Sequence, residues 1–233
     1  MTIRLIFLGP PGAGKGTQAS ILANSLQIPH ISTGELLRQE RRNKTERGLE
    51  AQSYIDKGAL VPDRVVMEIV QEELTKAEAK AGWILDGFPR NVCQAGALDG
   101  LLIGMGQPSC DCVISMEEVP ESFLVYRLGK RAVEEKRTDD TPDVLRNRLH
   151  IYHEETAPLL KFYNDRLMLV PINGFQSLEK VTAEIKDAIE GEKELQKQRE
   201  KVTAKKSEEM KQRIEKLKDR EDKIDKLLKA GQF

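Results

Sequence analysis

Aromatic residues make up only 5 % of this chain, with a single tryptophan and three cysteines among its 233 residues. Cys93, Cys110 and Cys112 are odd in number and lack the paired, well-separated spacing of a four-ligand zinc site. Neither a closed disulfide framework nor bound zinc is therefore expected, and the thiols read as reduced and structural, in a cytoplasmic setting. Cys110 and Cys112 fall on one face at the start of an expected strand, where close approach is open to them. No apolar run reaches the roughly twenty residues of a spanning helix, so no membrane span is expected. The apolar N-terminal segment ends at Gly9 inside a loop motif, which reads as a strand and not as a signal peptide. A formal net charge of -1 argues against a generally basic surface, and no nucleic-acid partner is expected.

What the chain does have is a run of glycines in a telling place. Gly9-Pro10-Pro11-Gly12-Ala13-Gly14-Lys15-Gly16-Thr17 directly follows Ile3-Arg4-Leu5-Ile6-Phe7-Leu8. A strand that delivers the chain into such a loop lets the backbone curl with its N–H groups inward. Lys15 adds a mobile point charge, and the helix that follows turns its positive end to the same spot. The pattern is that of a phosphate-binding loop, with one departure: Gly16 stands where Ser or Thr usually follows the lysine, and the hydroxyl comes at Thr17.

Apolar periodicity predicts helices over 18–26, 34–42, 48–57, 63–81, 94–105, 120–132 and 141–164, with Ser32-Thr33 as an N-cap. Strands are predicted at 28–31, 83–86, 112–116 and 167–170. This alternation predicts an α/β fold, a parallel sheet covered on both faces, with ligands at the carboxyl ends of the strands where Gly9 and Asp86 lie. Residues 190–233 differ in kind. Their interleaved acids and bases, many four apart, favour a charged helix over a disordered tail, available to a partner or to self-association.

Beyond the loop, arginines recur beside glycine, hydroxyl or carboxylate groups: Ser32-Thr33-Gly34-Glu35-Leu36-Leu37-Arg38, Asp86-Gly87-Phe88-Pro89-Arg90, Arg127 to Arg131, Arg137-Thr138-Asp139-Asp140, and Arg148. Together they suggest more phosphate than one nucleotide carries. Transfer between two nucleotides gathers many negative charges, which planar guanidinium forks bridge better than lysine does. In sequence and spacing, GPPGAGKGTQ, STGELLR, GALVPD, DGFPR followed by Gln94, and RTDD resemble the adenylate kinases of the nucleoside monophosphate kinase family, over about residues 1 to 189.

The resemblance implies a three-layer P-loop core with a five-stranded parallel sheet and two mobile excursions, a monophosphate-binding segment at about 32–61 and a short lid at about 130–140. It implies that Gly12, Ala13, Gly14, Lys15, Gly16 and Thr17 cradle the ATP phosphates, with Arg127 and Gln176 also on ATP. It implies that Thr33, Arg38, Ala59, Leu60, Val61, Gly87, Phe88, Pro89, Arg90 and Gln94 hold AMP. Arg131, Arg137 and Arg148 would converge on the bridging phosphates as catalytic groups with Lys15 and Arg90. Asp86 would order the water shell of a Mg²⁺ that no side chain binds directly. The expected reaction moves the terminal phosphoryl group of ATP to AMP in a monomeric core. His30, His150 and His153 are expected to be ordinary histidines, because an anionic phosphate acceptor requires no general base.

Other readings stay open at this stage. UMP/CMP kinases and GTP:AMP phosphotransferases share the motifs, although Thr33 and Gln94 favour AMP. A regulatory GTPase would show an Asn-Lys-x-Asp motif, whereas Asn43-Lys44 is followed by Thr45-Glu46. A scaffold acting through its tail is a further class.

Overall fold

The computed structural model describes residues 2–135, 141–191 and 194. By internal contacts the chain divides into Met1–Ala188 and Ile189–Phe233. The first unit carries the fold and site described below. Most of the expected charged tail, residues 192, 193 and 195–233, and the part of the expected lid at 136–140, including Arg137, lie outside the described residues.

The strands are β1 (Ile3–Leu8), β2 (His30–Ser32), β3 (Gly82–Asp86), β4 (Cys112–Glu117) and β5 (Leu169–Asn173). All pair in parallel, in the order β2-β3-β1-β4-β5. Every residue of β1 is buried, Arg4 included, as expected of a central strand covered on both faces. Ile6 and Leu8 join Trp83, Leu85, Ile69, Leu98 and Leu159 in one core cluster. The intervening Leu5 and Phe7 are equally buried but point to the other face. Pro171 is tolerated in β5 because this is an edge strand, paired only to β4.

The helices are α1 (Lys15–Leu26), α2 (Thr33–Arg42), α3 (Glu46–Lys57), α4 (Asp63–Thr75), α5 (Val92–Gly104), α6 (Glu121–Glu134), α7 (Pro142–Ile151), α8 (Pro158–Asn164) and α9 over 178–191. Among the described residues none is long and apolar enough to cross a membrane. Side chains cap several of them: Asn91 Oδ1 accepts from the Gln94 N–H at 2.8 Å, and Thr45 Oγ1 from that of Gly48 at 3.1 Å.

Three local expectations are corrected. Ser32 occupies the N-cap of α2 but its hydroxyl makes no capping bond, and Thr33 is already helical with its hydroxyl turned elsewhere. The helix expected over 63–81 ends at Thr75 and continues as a 3₁₀ turn at Ala77–Ala81. The single helix expected over 141–164 is broken into α7, a π turn at Tyr152–Thr156, and α8. Pro158 explains the last break, since it has no N–H and its ring collides with the carbonyl four residues back. Helix α9 was not anticipated.

Because β3 and β4 flank β1, the chain leaves the carboxyl end of β1 at the point where the sheet order reverses. Register sets Phe7 beside Asp86, and Asp86 beside Ser32, so the loop after β1 and the segment after β3 start side by side. Open parallel sheets bind their ligands at such a crevice.

Candidate active site

The loop between β1 and α1 is shaped by close packing as much as by its glycines' freedom. Gly9 has φ 137°, and a Cβ there would lie 2.5 Å from the Met116 carbonyl oxygen of β4. Gly14, with φ 99°, caps α1, and the helix begins at Lys15, three residues earlier than periodicity suggests. The Lys15 ammonium folds back to donate to the carbonyls of Gly9 at 2.6 Å and Pro10 at 2.9 Å. Burial is the main cause lowering its pKa to about 8, reinforced by Arg90 and Arg131 and opposed by Asp86 and Glu117. Gly16 has a steric explanation, since a Cβ at this position would come within 3.2 Å of Asp86 Oδ2.

Asp86 ends β3. Burial alone would raise its pKa, but the His30 imidazole and the positive charges of Lys15 and Arg90 outweigh it, so the carboxyl is held below its usual range. His30 Nε2 is 3.5 Å from Asp86 Oδ2. No local motif marks His30; parallel pairing of β2 with β3 brings it there.

Arg90 is fixed from several sides. Its backbone N–H donates to Gln94 Oε1 at 2.8 Å, its Nε donates to the Gly87 carbonyl at 2.8 Å, and its own carbonyl accepts from Thr156 Oγ1 at 2.8 Å. Burial and then the neighbouring Arg148 depress its pKa to about 10. Like charges therefore converge here, which signals a site built for anions. Arg38 is held by Glu35, whose carboxylate also accepts from Arg42 at 2.9 Å. Those two arginines, Arg42 foremost, hold the Glu35 carboxyl below its usual range.

One cavity of about 920 Å³ gathers most of these groups. Gly12 through Thr17, Asp86, Gly87, Pro89, Arg90, Arg38, Ala59, Leu60, Val61, Arg127, Arg131, Arg148 and Gln176 all line it. Arg127 packs its guanidinium 4.6 Å from the centre of the Phe123 ring and donates to the Ala13 carbonyl at 3.2 Å. Gln176 donates to the Asn173 carbonyl and to Glu184 Oε1 at 3.2 and 2.8 Å.

Three expected AMP residues are not on the cavity wall. Phe88 is fully buried in the core cluster. Thr33 is 1 % exposed and donates to the Gly87 carbonyl at 2.9 Å. Gln94 is buried and engaged, its Nε2 donating to Asp63 Oδ1 at 2.6 Å. Among the described residues no group of three or more His, Cys, Asp or Glu could hold a metal ion. Cys110 is buried, and burial pushes its thiol up to about 12.

A glycine loop between a strand and a helix, at the switch point of a parallel sheet and faced by arginines from several elements, defines a P-loop nucleotide-binding protein. A family model described as adenylate kinase matches residues 7–168. The chain is 54 % identical over 183 residues to the adenylate kinase 1 of Nostoc sp., covering 78 % of this chain and 96 % of that one. It is 50 % identical over 193 residues to the adenylate kinase of Cyanothece sp., covering 82 % and 98 %, and 48 % identical over 183 residues to that of Bifidobacterium longum, covering 78 % and 97 %. The chain belongs to the adenylate kinase family.

Proposed function

We propose that the chain transfers the terminal phosphoryl group of ATP to AMP, giving two ADP in a reversible reaction. The observation that carries this reading is the convergence of Lys15, Arg38, Arg90, Arg131 and Arg148 on one cavity whose floor is the glycine loop. A phosphate oxygen of AMP attacks the γ-phosphorus, a new P–O bond forms, and the bond to the β,γ-bridging oxygen breaks, leaving its electron pair on ADP. The attacking oxygen is already anionic, so no general base is needed. The work of the protein is alignment and charge neutralisation in a space closed to water.

In this reading Lys15 and the loop N–H groups hold the ATP phosphates, and Arg38 and Arg90 hold the AMP phosphate. Arg131 and Arg148 span the transferring group, joined by Arg137. Arg127 and Gln176 border the donor base. Thr33 and Gln94 address adenine only after a rearrangement that frees them from Gly87 and Asp63. Asp86 is one ionised carboxylate beside the loop, which suits Mg²⁺ carried in on ATP phosphates with its water shell largely intact. Such an ion supplies neutralisation of charge on the triphosphate. A monomeric, cytoplasmic enzyme core is part of the proposal. The test is a coupled assay of ADP formation from ATP with AMP, CMP, UMP or no acceptor. Turnover with AMP well above the others is expected, and equal turnover with CMP would refute the assignment.

A further inference from the structure

The π turn at Tyr152–Thr156 is the least regular helical segment among the described residues, and it lies at the cavity. The Ala157 N–H donates to the Tyr152 carbonyl five residues back, at 2.8 Å. Tyr152 and Thr156 are 6 % and 9 % exposed, while the three residues between them, His153, Glu154 and Glu155, are exposed. Both buried side chains line the cavity, and each spends its hydroxyl on a different wall. The Tyr152 hydroxyl donates to Glu117 Oε1, at the end of β4, at 2.6 Å. Thr156 Oγ1 donates to the Arg90 carbonyl, just after β3, at 2.8 Å. Arg148 sits one turn before Tyr152 on α7, whose preceding residue, Asn147, donates to the Lys57 carbonyl at 2.7 Å.

These contacts answer a physical problem. The positive charges of Arg90 and Arg148 repel each other, and a guanidinium on a loosely held backbone is free to turn elsewhere. We propose that Thr156, with Tyr152 as its companion, is a positioning residue for phosphoryl transfer: the π turn ties the helix carrying Arg148 to the Arg90 backbone after β3 and to the end of β4, the strands on either side of β1, so that both guanidiniums stay aimed into the cavity. π turns recur at functional sites, and here the break imposed by Pro158 turns three polar residues outward and leaves the flanking hydroxyls inside. The proposal rests on the reading that both arginines meet phosphate.

The test uses the full chain and compares wild type with Thr156→Val, Thr156→Ser and Tyr152→Phe, measuring kcat and KM for each nucleotide and the thermal midpoint. Thr156→Val is expected to lower kcat about tenfold with each KM within about threefold, because misaligned groups cost rate in the transition state more than ground-state binding. Thr156→Ser, which keeps the hydroxyl, should return kcat to within about threefold of wild type, and Tyr152→Phe should lower it about fivefold. In an Arg90→Ala background the further effect of Thr156→Val should shrink to about twofold or less, since the group it positions is gone. Three results would overturn the proposal: kcat within twofold of wild type in both hydroxyl-deleted variants, Thr156→Ser as impaired as Thr156→Val, or full multiplication of the Thr156 and Arg90 effects. If Thr156→Val does not fold, a Tyr152→Phe kcat within twofold of wild type, or a Thr156→Ser kcat lowered tenfold or more, overturns the proposal instead. Failure of the underlying reading looks different, because Arg90→Ala and Arg148→Ala would then leave kcat unchanged.

Discussion

Raising the pH should disable the free enzyme before it disables the loaded one. Lys15 is the group responsible, with its pKa lowered to about 8 mainly by burial in the loop. The form that can meet phosphate is the ammonium, so activity resting on it is present below pH 8 and lost above. At pH 9 about one tenth of empty sites would hold a charged Lys15, and kcat/KM for ATP should fall about tenfold per further pH unit. Bound triphosphate replaces the neutral carbonyls of Gly9 and Pro10 with anionic oxygens, which favours the ammonium and moves its pKa upward. The limb of kcat should therefore lie at least one unit higher than that of kcat/KM. Initial rates from pH 6.5 to 9.5, with ATP varied at saturating AMP, test this, since Arg90, its pKa lowered to about 10, still keeps most of its charge over that range. A kcat/KM flat to pH 9.5, or a kcat limb coincident with it, would refute the reasoning about burial.

Arg90→Ala should lower kcat about 10²-fold or more, because the lost fork neutralises charge that is concentrated in the transition state, and near-normal turnover would remove it from the proposed machinery. Gly9→Ala should cost about 3 kcal/mol or more in urea unfolding, since a Cβ there meets the Met116 carbonyl at 2.5 Å and φ is 137°; an unchanged midpoint would show that the loop shifts freely. Removing residues 192–233 should leave kcat/KM for AMP within about threefold, below the 1.4 kcal/mol of a tenfold loss, because none of the proposed site residues lies there. A tenfold loss in a truncated chain with intact circular dichroism would make the C-terminal segment part of the site.

The glycine loop, Asp86 and Arg90 were legible in sequence because each motif is local: the residues that shape it are also those that carry its chemistry. Residues joined only by the tertiary fold were not. Nothing in the sequence links position 30 with position 86, and the His30–Asp86 approach exists only because β2 pairs in parallel with β3. Helical periodicity tolerates one added residue, so the π turn left no mark except Pro158. Thr33 and Gln94 were anticipated as readers of a base, yet in this structure their polar atoms are committed to Gly87, Arg90 and Asp63. Sequence names the residue type, whereas the direction of a side chain depends on which neighbour takes its hydrogen bonds.

Gly16 and Asp86 claim a single volume. The carboxylate occupies the space that a side chain directly after the lysine would fill, within 3.2 Å of a Cβ at that position. The loop and the strand end are therefore coupled: a Cβ at position 16 presses on the Asp86 carboxylate, which must give by a few tenths of an ångström to accept it, and meets no other heavy atom within 4 Å outside the adjoining backbone. In this chain the polar group at this corner of the cavity comes from the strand end, as the Asp86 carboxylate. The nearest loop hydroxyl is displaced by one residue to Thr17, on the next step of the helix.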